Sequence, residues 1–201
     1  MIKGNKVGLR PIEESDLDLL YELANDPYIS TLVVGWGMPV SKLQQRNWIA
    51  KQHENNSTYR FVVVELKTGD AIGITGLWNI NWHDRNALTA TKLLTSKTIN
   101  GYGTESMKLI EAWGFYNLGL HRLYTSILDF NGASIHTRVR KTGWRIEGCQ
   151  KEAVFRKGRW CDVYNLAMLR DEFDQLSDKD IYINALHPVD VNNTIDISCY
   201  K

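Results

Sequence analysis

Cysteine is scarce: Cys149, Cys161 and Cys199 are odd in number and show no CxxC-type spacing. That excludes a disulfide framework and gives no reason to expect a metal site. No apolar run approaches the roughly 18–20 residues needed to span a bilayer, so no membrane association is expected. Met1 to Arg10 lacks the apolar stretch of a secretory signal, and a reduced, cytoplasmic protein is the simplest expectation. Charge of one sign is missing too. The net charge of +1 indicates neither a nucleic-acid binder nor a membrane-surface protein. Internal repeats and low-complexity segments are absent. What is there suits one domain with a full core: 201 residues, 43% hydrophobic and 23% charged. The seven tryptophans are many for this length, and some can line a pocket as well as pack a core.

Val7 to Pro11 reads as a first strand. Ser15 is placed to cap a helix with apolar positions Leu17, Leu19, Leu20 and Leu23, ending near Asn25–Asp26–Pro27. A Gly-rich, aromatic loop follows over Val33 to Pro39, and Ser41 caps a second helix to about His53. Tyr59–Glu65, Ala71–Trp82 and Ala87–Thr95 then form an antiparallel meander with turns at Lys67–Asp70 and His83–Asn86. Beyond it come a helix over Thr104–Leu118, a strand over His121–Leu128 and a helix over Ala133–Thr142. A hairpin of Trp144–Phe155 and Trp160–Leu169 closes the pattern. The fold class is a mixed α/β sheet with helices on both faces. Residues 1–174 form the domain and 175–201 a C-terminal extension, which can add a strand or mediate self-association, so a homodimer is one expectation.

The segment with chemical content is Leu93 to Ser106, where a strand enters a loop with two close glycines and a helix begins at once. Backbone N–H groups over Asn100, Gly101, Tyr102, Gly103 and Thr104 can face a pyrophosphate, whose charge the helix dipole favours. The GxGxxG dinucleotide fingerprint fails because position 106 is Ser, and no acidic residue stands about 20 positions on. The GK[ST] of a P-loop is absent as well. A loop with two turn glycines is the other reading of these residues alone.

The order of several pieces narrows the choice. Leu9-Arg10-Pro11 precedes an acidic helix start, and the strand Ala71 to Leu77 follows. Then come Asn100-Gly-Tyr-Gly-Thr-Glu-Ser-Met, Asn117-Leu-Gly-Leu-His-Arg-Leu, Asn131-Gly-Ala-Ser-Ile, Gly143-Trp-Arg-Ile-Glu-Gly-Cys and Lys157-Gly-Arg-Trp-Cys-Asp-Val-Tyr. Together they resemble the GNAT superfamily of N-acetyltransferases, especially the Rim-type ribosomal-protein acetyltransferases, over roughly Val7 to Phe173.

The resemblance implies a mostly antiparallel sheet with a splayed central strand pair. Acetyl-CoA would be the co-substrate, with its pantetheine on Leu93, Leu94 and Thr95 and its pyrophosphate on Asn100 to Thr104. Thr98 stands where the family has Gln or Arg, and the neighbouring Lys97 is a candidate phosphate cation. Asn131 is implied to touch the cofactor arm, and it also reads as a helix N-cap. Ser134 matches a serine near the thioester sulfur that could donate a proton to the leaving thiolate. The region Thr137-Arg138-Val139-Arg140 reads one residue longer than the family pattern and supplies no tyrosine acid.

Aminolysis of a thioester needs a neutral amine, a polarised carbonyl and a protonated leaving group. A backbone N–H near Leu93 or Leu94 serves the carbonyl. Ala87 to Thr95 holds no Asp or Glu, so Glu152 is the first candidate base, ahead of His83 and His136, with Glu65 and the N-terminal helices also open. The resemblance implies an acceptor groove between the Asp26–Pro39 loop and the Lys151–Trp160 hairpin, with Trp36, Trp78 and Trp82 as candidate walls. Neutralising an α-amine of pKa about 8 at pH 7 costs roughly 1–1.5 kcal/mol, against roughly 4.5 kcal/mol for a lysine-like amine of about 10.4. A site without an evident base therefore favours a peptide N-terminus or an amino sugar over a polyamine. A non-catalytic acyl-CoA-binding or interaction module and an unrelated nucleotide-binding domain are the alternatives.

Overall fold

The structure is a computed structural model and describes residues 1–35, 39–53, 56–98 and 100–187. Its centre is an eight-stranded sheet in the order β1-β2-β3-β4-β5-β6-β8-β7. The strands are β1 Ile2–Lys3, β2 Val7–Arg10, β3 Tyr59–Glu65, β4 Ala71–Asn81, β5 Asn86–Leu93, β6 Arg122–Leu128, β7 Arg145–Arg156 and β8 Arg159–Leu169. The helices are α1 Leu17–Asn25, α2 Pro27–Leu32, α3 Lys42–Ala50, α4 Tyr102–Ala112, α5 Gly132–His136, α6 Arg170–Phe173 and α7 Lys179–Leu186. Neighbouring strands run antiparallel except β5 and β6, which are parallel. No helix among the described residues is long and apolar enough to cross a membrane.

Alternation along the strands feeds two cores. Val63, Leu77 and Ala87 pack with Leu109, Ile110 and Phe115 on the α4 face. Val62, Val64 and Ile74 pack with Leu20, Leu23 and Trp48 on the α1–α3 face. The period of two sends Val62 and Val63 to opposite sides of the sheet, so helices must cover both.

Three local expectations change. The chain enters α1 through a 3₁₀ turn, Glu14–Asp16, rather than through a Ser15 cap. There Arg10 clamps the buried Asp16 through two 2.7 Å hydrogen bonds. Asp26–Pro27 both ends α1 and starts α2, because the Asp26 carboxylate accepts the Tyr28 and Ile29 N–H groups and Pro27 suits a first helical position. Residues 179–186 of the expected extension form a helix, not a strand. That helix joins the α4 core through Tyr182, and Lys108 of α4 pairs with Asp178 at 2.5 Å. Residues 188–201, including Cys199, lie outside the described residues.

α5 runs on into a π-helical turn over Thr137–Lys141, a winding that takes up one more residue than an α-turn.

Candidate active site

The parallel pairing of β5 and β6 is short: Asn86, Ala87 and Leu88 oppose Arg122, Leu123 and Tyr124, and the strands then part. Leu94 donates its N–H to Ile72 O at 2.9 Å. In an antiparallel ladder that makes the Gly73–Leu93 pair a non-hydrogen-bonded one, as is Thr75–Thr91 two residues back. The N–H and C=O of Thr91 and Leu93 therefore point away from β4 and into the gap. An extended chain can add there as a strand adds to a sheet edge.

A cavity of about 300 Å³ occupies this gap and ends at the start of α4. It brings together Leu93, Thr95, Gly101, Gly103, Thr104, Asn131 and Ser134 of the expected set. Leu94 is not part of it, since its N–H goes to Ile72 and its C=O accepts from Lys97. Asn100 and Tyr102 also stay out of the lining. Asn100 O accepts from Lys6 Nζ at 3.2 Å, a cation beside the loop that no motif signalled. Gly101 has φ +79, the left-handed region that only glycine adopts freely. Gly103 is small for another reason: a Cβ there would stand 3.7 Å from Leu93 and protrude into open space.

Glu65 fastens the loop. Its carboxylate accepts from Lys97 Nζ and from the Tyr102 hydroxyl, each at 2.6 Å. Those bonds hold Glu65 below the usual carboxylate range and raise Lys97. Lys97 thus carries an internal ion pair, and Glu65 is spoken for as a base. Asn131 takes its cap position, with Oδ1 accepting the Ser134 N–H at 3.3 Å. Its Nδ2 reaches Leu32 O at 3.4 Å and so ties α5 to the end of α2 across the cavity.

A second cavity, of about 680 Å³, lies between the β3–β5 face and α1 and α3. Its floor is one face of the sheet: Arg60, Ile74, Trp78, Leu88, Ala90 and Lys92. The expected groove against the Lys151–Trp160 hairpin is not found there, because no residue of that hairpin lines it. The hairpin instead buttresses the 33–34 segment, with Arg156 Nη2 donating to Val33 O at 3.1 Å. Trp78 is a wall as expected, Trp82 is exposed with its indole on Asn56 O, and Trp36 lies outside the described residues.

The expected bases sit apart from both cavities. Glu152 is exposed on a bulge of β7 at φ +49, its N–H on Asp162 Oδ1, and His83 and His136 are exposed. Sequence reasoning missed Lys92, which lines both cavities. Burial, and then the charge of Arg60, push its ammonium down to about 7. The signal was there as the end of the alternation Leu88, Ala90, Lys92, but only the fold shows that this face is hollow.

The sequence of residues 6–143 matches the family described as acetyltransferase (GNAT) domain. The chain belongs to the GNAT acetyltransferase family. GNAT enzymes acetylate amines from acetyl-CoA, and this chain is such an acyltransferase for a primary amine. It is 25% identical over 173 residues to spermidine N(1)-acetyltransferase of Escherichia coli K12, covering 86% of this chain and 91% of that one. It is 27% identical over 193 residues to the probable N-acetyltransferase YjcK of Bacillus subtilis, covering 87% and 100%. The fold superposes on spermidine N-acetyltransferase from Vibrio cholerae, solved with CoA and spermine, at a TM-score of 0.78 and 24% identity over 85% of this chain and 99% of that one. These GNAT relatives lend no support to the finer Rim-type expectation.

Proposed function

We propose that the 300 Å³ cavity holds the acetyl-pantetheine arm and that the 680 Å³ cavity holds the amine, the two meeting at Val33 and Lys92. One observation carries this reading: the backbone groups of Thr91 and Leu93 face a gap that runs from the shared wall to the α4 N-terminus. The residues fit the cofactor, since that end offers a glycine loop and helix N–H groups to phosphates and the strand offers amides to pantetheine. Bound acetyl-CoA supplies an acyl group activated as a thioester.

The chain's own groups then have distinct tasks. Leu93 N–H donates to the carbonyl oxygen, and Ser134 hydroxyl donates a proton to the leaving sulfur. Lys92 takes the proton of the attacking amine, the task first expected of Glu152. Its lowered pKa leaves a neutral fraction at pH 7, as a base of this kind needs. The cations around it also favour the neutral form of an incoming amine.

Calorimetry with acetyl-CoA and CoA release over an amine panel test the reading. Gly103→Val is expected to weaken acetyl-CoA binding at least tenfold, and Ser134→Ala to spare binding and lower turnover. The pH profile of kcat/KM is expected to rise through about 7 and to lose that limb in Lys92→Met. Unchanged acetyl-CoA affinity in Gly103→Val would overturn the placement. The names of the relatives favour a polyamine as a second reading of the acceptor.

A further inference from the structure

The larger cavity has a charge pattern that the relatives' substrate does not match. Its polar lining consists of the neutral Gln44, Gln45 and Asn79 and the basic Arg60 and Lys92. None of its lining among the described residues is acidic. A polyamine holds further ammonium groups beyond the one acetylated. Here each of them would meet cations, neutral amides and apolar walls rather than carboxylates.

Arg60 is the centre of this pattern. Its guanidinium carbon lies over the rings of Trp48 and Trp78, 5.0 and 5.3 Å from their centroids. The N–H donors of a guanidinium all lie in the plane of its fork. Nη1 gives one bond, at 2.6 Å, to the neutral oxygen of Gln52. No carboxylate among the described residues pairs with it. Burial pulls its pKa down to about 10, so it remains charged at neutral pH. A half-buried guanidinium whose planar fork gives one bond among the described residues is the geometry that a carboxylate meets in two parallel bonds.

The shape agrees. Gly76 and Ala90 lie between Arg60, Trp78 and Lys92 on the same sheet face and leave the floor low. Leu20, Leu23 and Val40 supply apolar walls, and Ile74 and Leu88 the apolar part of the floor.

Resting on the reading of this cavity as the acceptor pocket, we propose that the acceptor is a primary amine on an apolar body that also bears a carboxylate. The Arg60 fork receives the carboxylate and the amine reaches Lys92 at the thioester end. The acceptor class is then an apolar amino acid rather than a polyamine.

Paired acceptors test this with the full-length enzyme and acetyl-CoA, reading CoA release. Phenylalanine is compared with phenethylamine and leucine with isopentylamine, with spermidine in the same panel. The expected result is a kcat/KM at least tenfold higher for the carboxylate-bearing member of a pair, and spermidine the poorest substrate. Arg60→Met is expected to collapse that ratio towards one, and Arg60→Lys to retain part of it. Preference for spermidine over every carboxylate-bearing amine, or an unchanged ratio in Arg60→Met, overturns the proposal. If Arg60→Met does not fold, the wild-type ratios decide. Turnover confined to amines without a carboxylate removes this inference and leaves the transferase reading standing. Binding of acetyl-CoA with no turnover of any amine removes both.

Discussion

Glu111 of α4 lies wholly buried, 2.6 Å from the equally buried Arg138 and 2.9 Å from Trp144 Nε1. Burial pushes its carboxyl up to about 7 while the Arg138 charge opposes the rise. The guanidinium also lies 4.3 Å from the centroid of the Trp144 ring. Breaking one side of a buried pair leaves the other charge uncompensated, at a cost of about 3–5 kcal/mol. Glu111→Gln should therefore lower stability by that order, a fall in Tm of roughly 10 °C for a chain of this size, read by urea and thermal unfolding. Glu111→Leu combined with Arg138→Met should recover most of the loss, because it removes both desolvated charges. Neither residue stood out in the sequence. They are 27 positions apart, and only the packing of α4 against the turn after α5 gives each its partner. Lys92 was hidden for a related reason: a lysine at the end of an alternating strand reads as a solvated residue until the strand is known to floor a cavity.

Elements were more legible than their partners. The meander, α4, β6 and the closing hairpin follow from periodicity and turn chemistry, which are local. The short β1, α2 and α7 were missed, since a two-residue strand has no period and Asp26–Pro27 signals an end and a start alike. The strand–loop–helix from Leu93 to Thr104 was readable because two close glycines between a strand and a helix mark a tight turn. Its fastening was not. Glu65, from the far end of β3, clasps Lys97 and Tyr102 across 32 and 37 residues of chain. Glu65→Ala should leave the secondary structure intact by circular dichroism and weaken acetyl-CoA binding several-fold, because the loop must then be ordered by the ligand. The same clasp has a pH signature. Its carboxylate is lowered by folding, so the contribution is full above the ordinary value of 4.5 and is lost as pH falls through the lower folded value. Acid unfolding of Glu65→Ala, compared with the parent chain, should lack that component.

Taken whole, the sheet consists of β1 to β5 on one side and β6, β8 and β7 on the other. Ordinary antiparallel ladders hold each part, while within the sheet three residue pairs join β5 to β6 and the α4 core spans both parts. Hydrogen exchange should show this division. The amides of Thr91 and Leu93, which face the gap, should exchange rapidly without ligand and slow markedly with acetyl-CoA, while those bonded between β3 and β4 change little. Equal protection of all these amides in the ligand-free protein would contradict the divergence of β5 from β6. If the acyl donor binds in the gap as proposed, the weakest line of the sheet is where that ligand lies. A ligand bridging the seam at a hundredfold excess over Kd adds about 2.7 kcal/mol to stability, and that gain disappears when the ligand is exhausted. The supply of acyl donor therefore sets how long the folded chain resists proteolysis, as well as how fast it turns over.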